Sequence, residues 1–310
     1  MKNQTIVKMN GISMYYGKVM ALRSVGIEVQ KGDIYGLIGD NGAGKTTLLK
    51  ILTGQIYPTV GEVSMFGEHR QQKLLKVRRR TGAIIESPGF YPKLSAEKNL
   101  EYYRIQRGVP GKEKVKEVLE KVGLYEVRKR KFEEFSLGMK QRLGLALALL
   151  GSPELLILDE PINGLDPSGI IEIRNFLLRL NQERKITIIV SSHILSELEQ
   201  IATVYGFLSK GRLLEQITAK HLREQCSEAV EIEVDQTEMY TALLEKELGC
   251  TNYKVMPDRS VSIKTSEEET ACYSRLASEH GIEVLRLNRK KISLEDYYMN
   301  LKMRKEAGIC

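Results

Sequence analysis

The segment Gly39-Asp40-Asn41-Gly42-Ala43-Gly44-Lys45-Thr46-Thr47 constrains this chain more than any other feature. It fits the spacing GxxxxGK[ST]. The apolar run Asp33–Ile38 precedes it and reads as a buried strand; Lys45–Leu52 follows and reads as a helix that stops at Gly54. Glycines let successive backbone N–H groups turn toward one centre without Cβ clashes. The helix N-terminus adds positive partial charge where a phosphate would sit. Lys45 is placed to pair with β- and γ-phosphates, and the Thr46 hydroxyl to ligate Mg²⁺. The motif points to a nucleotide without saying which one, or what work is done.

Such a loop needs a strand on one side and a helix on the other, and the rest of the first 210 residues supplies the matching pattern. Gly82–Ile85, Leu155–Leu158 and Ile186–Val190 are short apolar runs, as expected for strands buried in a parallel sheet. Met139–Leu150 and Ser168–Arg184 read as helices. The alternation predicts an α/β domain. The first 30 residues look instead like an antiparallel edge turning at Gly17-Lys18. After about Gly211 the order of predicted elements becomes βαββαβ: strands Ala229–Val234, Tyr253–Val255, Val261–Lys264 and Ile282–Leu287, with helices at Met239–Leu248 and up to His280. That order suits a small ferredoxin-like α+β unit. A last helix is expected after Ser293. The boundaries read as 1–210 for the first domain and 211–310 for the second.

Charge divides the same way. The whole chain carries a formal net charge of +7. Residues 1–210 hold a net of +10 and residues 211–310 a net of −3. A basic half suits a polyanionic ligand or an anionic membrane surface. The basic runs Lys73–Arg80 and Lys112–Lys131 read first as solvated faces, with nearness to anionic lipid as the functional alternative. No aromatic interleaving suggests a nucleic-acid stacking platform, so no nucleic acid is expected. The longest apolar stretch, Leu143–Leu150, is about half of what crossing a bilayer takes. Neither a membrane span nor a secretory signal is expected. Cys226, Cys250, Cys272 and Cys310 are too scattered for a zinc site and read as free thiols.

Leu155–Leu158 runs directly into Asp159-Glu160, delivering two carboxylates to a strand end, where α/β sheets bind ligands. Asp159 can hold Mg²⁺ through water, and Glu160 can act as general base on an attacking water. Phe135-Ser136-Leu137-Gly138-Met139-Lys140-Gln141-Arg142 offers Ser136 as a helix cap and a second helix N-terminus facing phosphate. His193, just after the strand Ile186–Val190, can donate to a γ-phosphate or position the water. His69, His221 and His280 have no comparable context.

Taken together, the phosphate loop, Ser136-Leu137-Gly138-Met139, Asp159-Glu160, Gly164-Leu165-Asp166 and His193 resemble the ATP-binding subunit of ABC transporters, in order and approximate spacing. The resemblance covers about residues 1–210. It implies a P-loop NTPase core of ABC type with an antiparallel β edge and a helical subdomain at about 87–152, to which the element order read above adds a small C-terminal α+β domain. It implies ATP and Mg²⁺ as ligands. Tyr16, preceding Gly17, is where such proteins place an aromatic on adenine; Tyr15 is the neighbouring candidate. A second ATP-binding subunit, in a homo- or heterodimer, would bring Ser136, Gly138 and Met139 to the γ-phosphate, with Asp166 at the seam. The helical lobe, including Ser87–Arg107, would receive the coupling helix of a separate transmembrane permease at the cytoplasmic face of the membrane.

Two departures narrow the resemblance. Glu86-Ser87-Pro88 stands where the family usually has a glutamine, and Glu86 can still reach Mg²⁺ or water. Leu137 and Met139 replace a glycine and a glutamine of the usual LSGGQ. Together with Pro88-Gly89-Phe90-Tyr91-Pro92 and Ser293-Leu294-Glu295-Asp296-Tyr297-Tyr298, these are similar to the branch that exports or clears peptide antibiotics, including bacitracin-resistance and lantibiotic-immunity transporters. The rival expectation is an ABC-type ATPase switch acting on the ribosome, nucleic acid or a regulator without transport.

Overall fold

The protein is described by a computed structural model over residues 4–86, 88–225, 229–264, 270–290 and 293–306. Ser87, Cys226 and Cys310 lie outside the described residues. Two compact units divide the chain, 1–219 and 220–310.

In the first unit, continuous apolar runs became strands covered on both faces. β1 (Thr5–Tyr16) and β2 (Val19–Gln30) form a hairpin about Gly17-Lys18. β3 (Ile34–Ile38) leads into α1 (Lys45–Thr53), and β4 (Val60–Met65) follows. After α2 (Gln71–Val77) comes β5 (Thr81–Ile84), then α3 (Ala96–Gln106), α4 (Glu113–Lys121) and α5 (Leu137–Leu149). β6 (Leu155–Asp159), α6 (Pro167–Arg184), β7 (Thr187–Ser192), α7 (Leu195–Glu199), β8 (Val204–Ser209) and β9 (Arg212–Thr218) complete it. The main sheet has six strands in the order β5-β6-β7-β3-β8-β9, parallel except for the last pair. Every residue of β3, β6 and β7 is buried. That is why these strands read as unbroken apolar runs rather than as alternation.

The hairpin forms the antiparallel edge that the sequence suggests. It makes a separate three-stranded antiparallel sheet, β2-β1-β4. Its inward residues Val7, Met9, Ile12, Leu22, Val25 and Val29 share a core with Leu37, Leu48 and Leu52 of β3 and α1. One apolar cluster therefore clamps the phosphate loop's strand and helix from the hairpin side.

Of the helices between β5 and β6, α3 and α5 start on side-chain caps. Ser95 accepts from the Lys98 N–H at 3.2 Å, and Ser136 from the Met139 N–H at 3.3 Å. Asn99 is fully buried, with its Nδ2 donating to the carbonyls of Tyr91, Leu94 and Ser95. It also accepts from the Tyr91 N–H at 2.8 Å. One amide thereby fixes the turn 91–95 at the head of α3, where an unpaired buried amide would be costly.

The division between units falls within α8 (Ala219–Gln225). The second unit runs β10 (Ala229–Val234), α9 (Thr237–Leu248), β11 (Tyr253–Val255), β12 (Val261–Lys264), α10 (Thr270–Glu279), β13 (Val284–Lys290) and α11 (Leu294–Glu306). Its sheet order is β11-β12-β10-β13, antiparallel throughout, which is the split βαβ arrangement. Alternate residues Val230, Ile232 and Val234 pack with Tyr240, Leu244, Leu276 and Ala277. The Asp296 N–H donates to the Ser293 hydroxyl at 3.1 Å, capping α11. Cys250 and Cys272 form no disulfide.

Candidate functional site

β3, β5, β6 and β7 are parallel, so their C-terminal ends open on one edge of the sheet. The phosphate loop leaves β3 there. A Cβ on Gly39 would run into the Leu208 carbonyl oxygen. At Gly44, φ is +106° and a Cβ would come within 2.9 Å of the Ala21 carbonyl. Backbone packed this closely leaves no room for side chains, which is what an anion approaching main-chain N–H groups needs. No side chain caps the start of α1, and its first turn has no acid. Those N–H groups remain directed at a ligand.

Lys45 is only 6% exposed. Its ammonium donates to the carbonyls of Gly39 at 2.6 Å and Asp40 at 3.2 Å, and lies 3.1 Å from Glu160 Oε1. Thr46 Oγ1 donates to Asp159 Oδ2 at 2.8 Å. The first acid of β6 thus reaches the first turn of α1, 113 residues away in sequence. Asn41, Gly42, Ala43 and Thr47 complete the loop and the first turn of α1.

Ser191 ties the two acids together. It faces Asp159 in the β6–β7 register. Its hydroxyl donates to Asp159 Oδ1 at 2.7 Å and accepts from the Glu160 N–H at 2.9 Å. Glu160 has left-handed backbone, φ +48°, so this hydrogen bond holds an unfavourable conformation in place. Glu160 Oε2 lies 2.7 Å from His193 Nδ1. With Glu160 ionised, that contact puts the imidazole proton on Nδ1. Both Glu160 oxygens are therefore engaged, one by Lys45 and one by His193. The sequence reading passed over Ser191; the signal was a hydroxyl at the end of the strand beside the acidic one.

Glu86 lies just past β5 and accepts from Lys50 Nζ at 2.7 Å. That hydrogen bond raises the Lys50 pKa. Tyr15 and Tyr16 are both exposed at the end of β1. Ser136, Gly138 and Asp166 come together elsewhere. They line a cavity of about 430 Å³ with Gly164, Leu165 and Ser168, and no residue of the phosphate loop is among its walls. Asp166 caps α6, accepting from Gly169 N–H at 3.3 Å and from the Ser168 hydroxyl at 2.6 Å. The hydroxyl, then the N–H, hold its carboxyl below the usual aspartate value.

Thr46 and Asp159 offer hard oxygen donors side by side, the kind Mg²⁺ takes along with phosphate and water. Among the described residues no group of three or more His, Cys, Asp or Glu forms a metal cage. The donor set fits an ion shared with a polyphosphate.

The family profile described as ABC transporter matches residues 22–163. The bacitracin transport ATP-binding protein BcrA of Bacillus licheniformis is 42% identical over 297 residues, 96% of this chain and 97% of its own length. This chain belongs to the ABC transporter ATP-binding proteins. The lantibiotic transport ATP-binding protein SrtF of Streptococcus pyogenes is 44% identical over 209 residues, covering 67% of this chain and 89% of its own. Among solved structures, a bacterial ABC transporter cassette in dimeric form superposes with a TM-score of 0.63 at 25% identity, over 69% of this chain and 99% of that one. The ABC subunit is an ATPase. None of its helices among the described residues is long and apolar enough to cross a membrane.

Proposed function

We propose that this subunit hydrolyses ATP to drive export or clearance of a peptide antibiotic, or a related compound, through a separate membrane permease. The observation that carries the reading is the match to a bacitracin transport subunit along 96% of the chain, through both units rather than the nucleotide core alone. The lantibiotic transport relative supports the same class. A switch acting on ribosomes or nucleic acid has no comparable support.

The geometry supports the chemistry as follows. Phosphate oxygens of ATP compete with Glu160 and the Gly39 and Asp40 carbonyls for the Lys45 ammonium. The N–H groups of the loop and of α1 hold the β- and γ-phosphates, and Tyr16 stacks on adenine. Releasing Lys45 frees Glu160 Oε1 to take a proton from water. The water oxygen bonds to the γ-phosphorus as the bond to the β–γ bridging oxygen breaks, and ADP leaves with that electron pair. His193 keeps Glu160 oriented through Nδ1 and aims its other ring nitrogen at the reacting phosphate. Thr46 and Asp159 would hold Mg²⁺, which supplies charge neutralisation on the phosphates, while the Glu86 carboxylate is engaged by Lys50 instead. Ser136, Gly138 and Met139 of a second ATP-binding subunit close the open side, with Asp166 at the seam. The pair works at the cytoplasmic face of the membrane, against the permease.

Tagged Glu160→Gln protein, captured from native lysate with MgATP, tests this reading. A polytopic membrane protein in stoichiometric amount is expected. Recovery of ribosomes, nucleic acid or only water-soluble partners would overturn the transport assignment.

A further inference from the structure

Lys50 sits one helical turn beyond Thr46 on α1, on the side that carries Thr46 to the end of β6. β5 lies beside β6, with Ile84 opposite Leu158, so the loop leaving β5 emerges next to Asp159. Glu86 is two residues past the end of that strand. Its carboxylate meets the Lys50 ammonium at 2.7 Å, and its backbone is left-handed at φ +59°. Lys50 also lies within electrostatic reach of Asp159 and Tyr16.

An acid at this point poses an electrostatic difficulty. Asp159, Glu160 and Glu86 gather at the mouth of a site built for a polyanion. Lys45 and the start of α1 are the cationic elements facing it, and Lys45 is already shared with Glu160. Adding a third carboxylate to such a cleft repels the ligand. A glutamine in the same place would not.

We propose that Lys50 is a positioning residue: it holds and neutralises the Glu86 carboxylate, so that a loop carrying an acid stays compatible with ATP in the neighbouring phosphate site. The proposal rests on the ATP-binding reading above. An exposed ion pair of this kind contributes little to folding. Its effect belongs to ligand affinity, and it belongs to the pair rather than to Lys50 alone.

A double-mutant cycle on the full chain tests it, with equilibrium binding of β,γ-imido ATP and Mg²⁺ as the readout. Lys50→Met is expected to weaken binding about tenfold, a loss of about 1.4 kcal/mol. With Glu86→Gln also present, the same substitution should cost less than about twofold, because the charge to be neutralised is gone. Lys50→Arg keeps the charge and should restore most of the affinity. Equal weakening in both backgrounds would mean that Lys50 acts on the nucleotide directly. No weakening in either would reduce the pair to a surface contact. Both results overturn the proposal. Failure of the unmodified chain to bind the analogue would instead remove the ATP reading beneath it.

Discussion

Lys45 has three oxygen partners and almost no solvent, so its charge is satisfied by the protein itself. Removing it should do two things at once. Lys45→Ala is expected to lower ATP affinity by about 100-fold or more, through lost charge-assisted contacts of about 1.5–3 kcal/mol each. It also leaves the Glu160 Oε1 side without its cation. Equilibrium ATP binding checks the first effect. Ser191 makes a different prediction, because it touches both acids and is not itself placed on the nucleotide. In Ser191→Ala, Asp159 Oδ1 loses a donor and the Glu160 N–H loses its acceptor. Stability should fall by about 1–3 kcal/mol. The rate constant kcat should fall about tenfold or more as Glu160 drifts, with ATP affinity largely kept. Steady-state kinetics separates the two: a rise in KM with unchanged kcat would remove Ser191 from the positioning role. The motif residues were legible because their spacing is local. Ser191 was not, because its partners are 31 and 32 residues away and reach it only through strand pairing.

At the scale of elements, the pair Arg80–Glu154 ties the entry of β5 to the entry of β6. Arg80 makes a two-pronged contact with Glu154 at 2.6 and 2.8 Å and lies 3.9 Å over the Phe66 ring. Hydrogen bonding from Arg80, and then its charge, holds the Glu154 carboxyl below its ordinary value of 4.5. A depressed acid contributes stability above its unfolded value and loses it as pH falls through the folded one. The pair should therefore steepen acid unfolding below pH 4.5, and Glu154→Gln should flatten that limb by lowering stability slightly at neutral pH while leaving the acid end nearly unchanged. Urea titrations across pH 3 to 7, run on both proteins, would reveal an identical slope if the idea is wrong. In the run Lys73–Arg80, Lys73, Lys76, Arg79 and Arg80 are exposed, as a solvated face requires, and Arg78 is the half-buried exception. Arg78 donates to the carbonyls of Ile51 and Leu52 at the end of α1, satisfying acceptors that a helix end leaves open. A charge run names no partner, so those roles could not be read from it. β3, β6 and β7 were legible because burial on both faces leaves nothing but apolar residues. β4 was not, since Val60, Gly61 and Glu62 are exposed. In β8 the apolar run is broken at Gly206, where the Tyr35 hydroxyl fills the space a side chain would take.

For the whole molecule, the decisive fact is a separation. Ser136, Gly138 and Asp166 line one cavity, while the phosphate loop and the acids of β6 form another site. A second subunit brings the two halves together if each cavity receives the γ-phosphate held by the other chain. Glu160→Gln should then accumulate a species of doubled mass with MgATP, because hydrolysis no longer removes the bridging charge. Gly138 allows a sharper version. A Cβ there meets only Leu165 at 3.7 Å, an ordinary contact, so the fold has room for a side chain. In Gly138→Asp the new carboxylate enters the first turn of α5, where the helix N-terminus favours an acid. The monomer should keep its thermal midpoint and its ATP affinity. In the dimer the same carboxylate would face the γ-phosphate of the other chain, a like-charge contact that disfavours closure. Combined with Glu160→Gln, it should abolish the doubled species in light scattering with MgATP. A dimer that still forms at the same protein concentration would place Gly138 away from the seam and break the link between the two halves of the site.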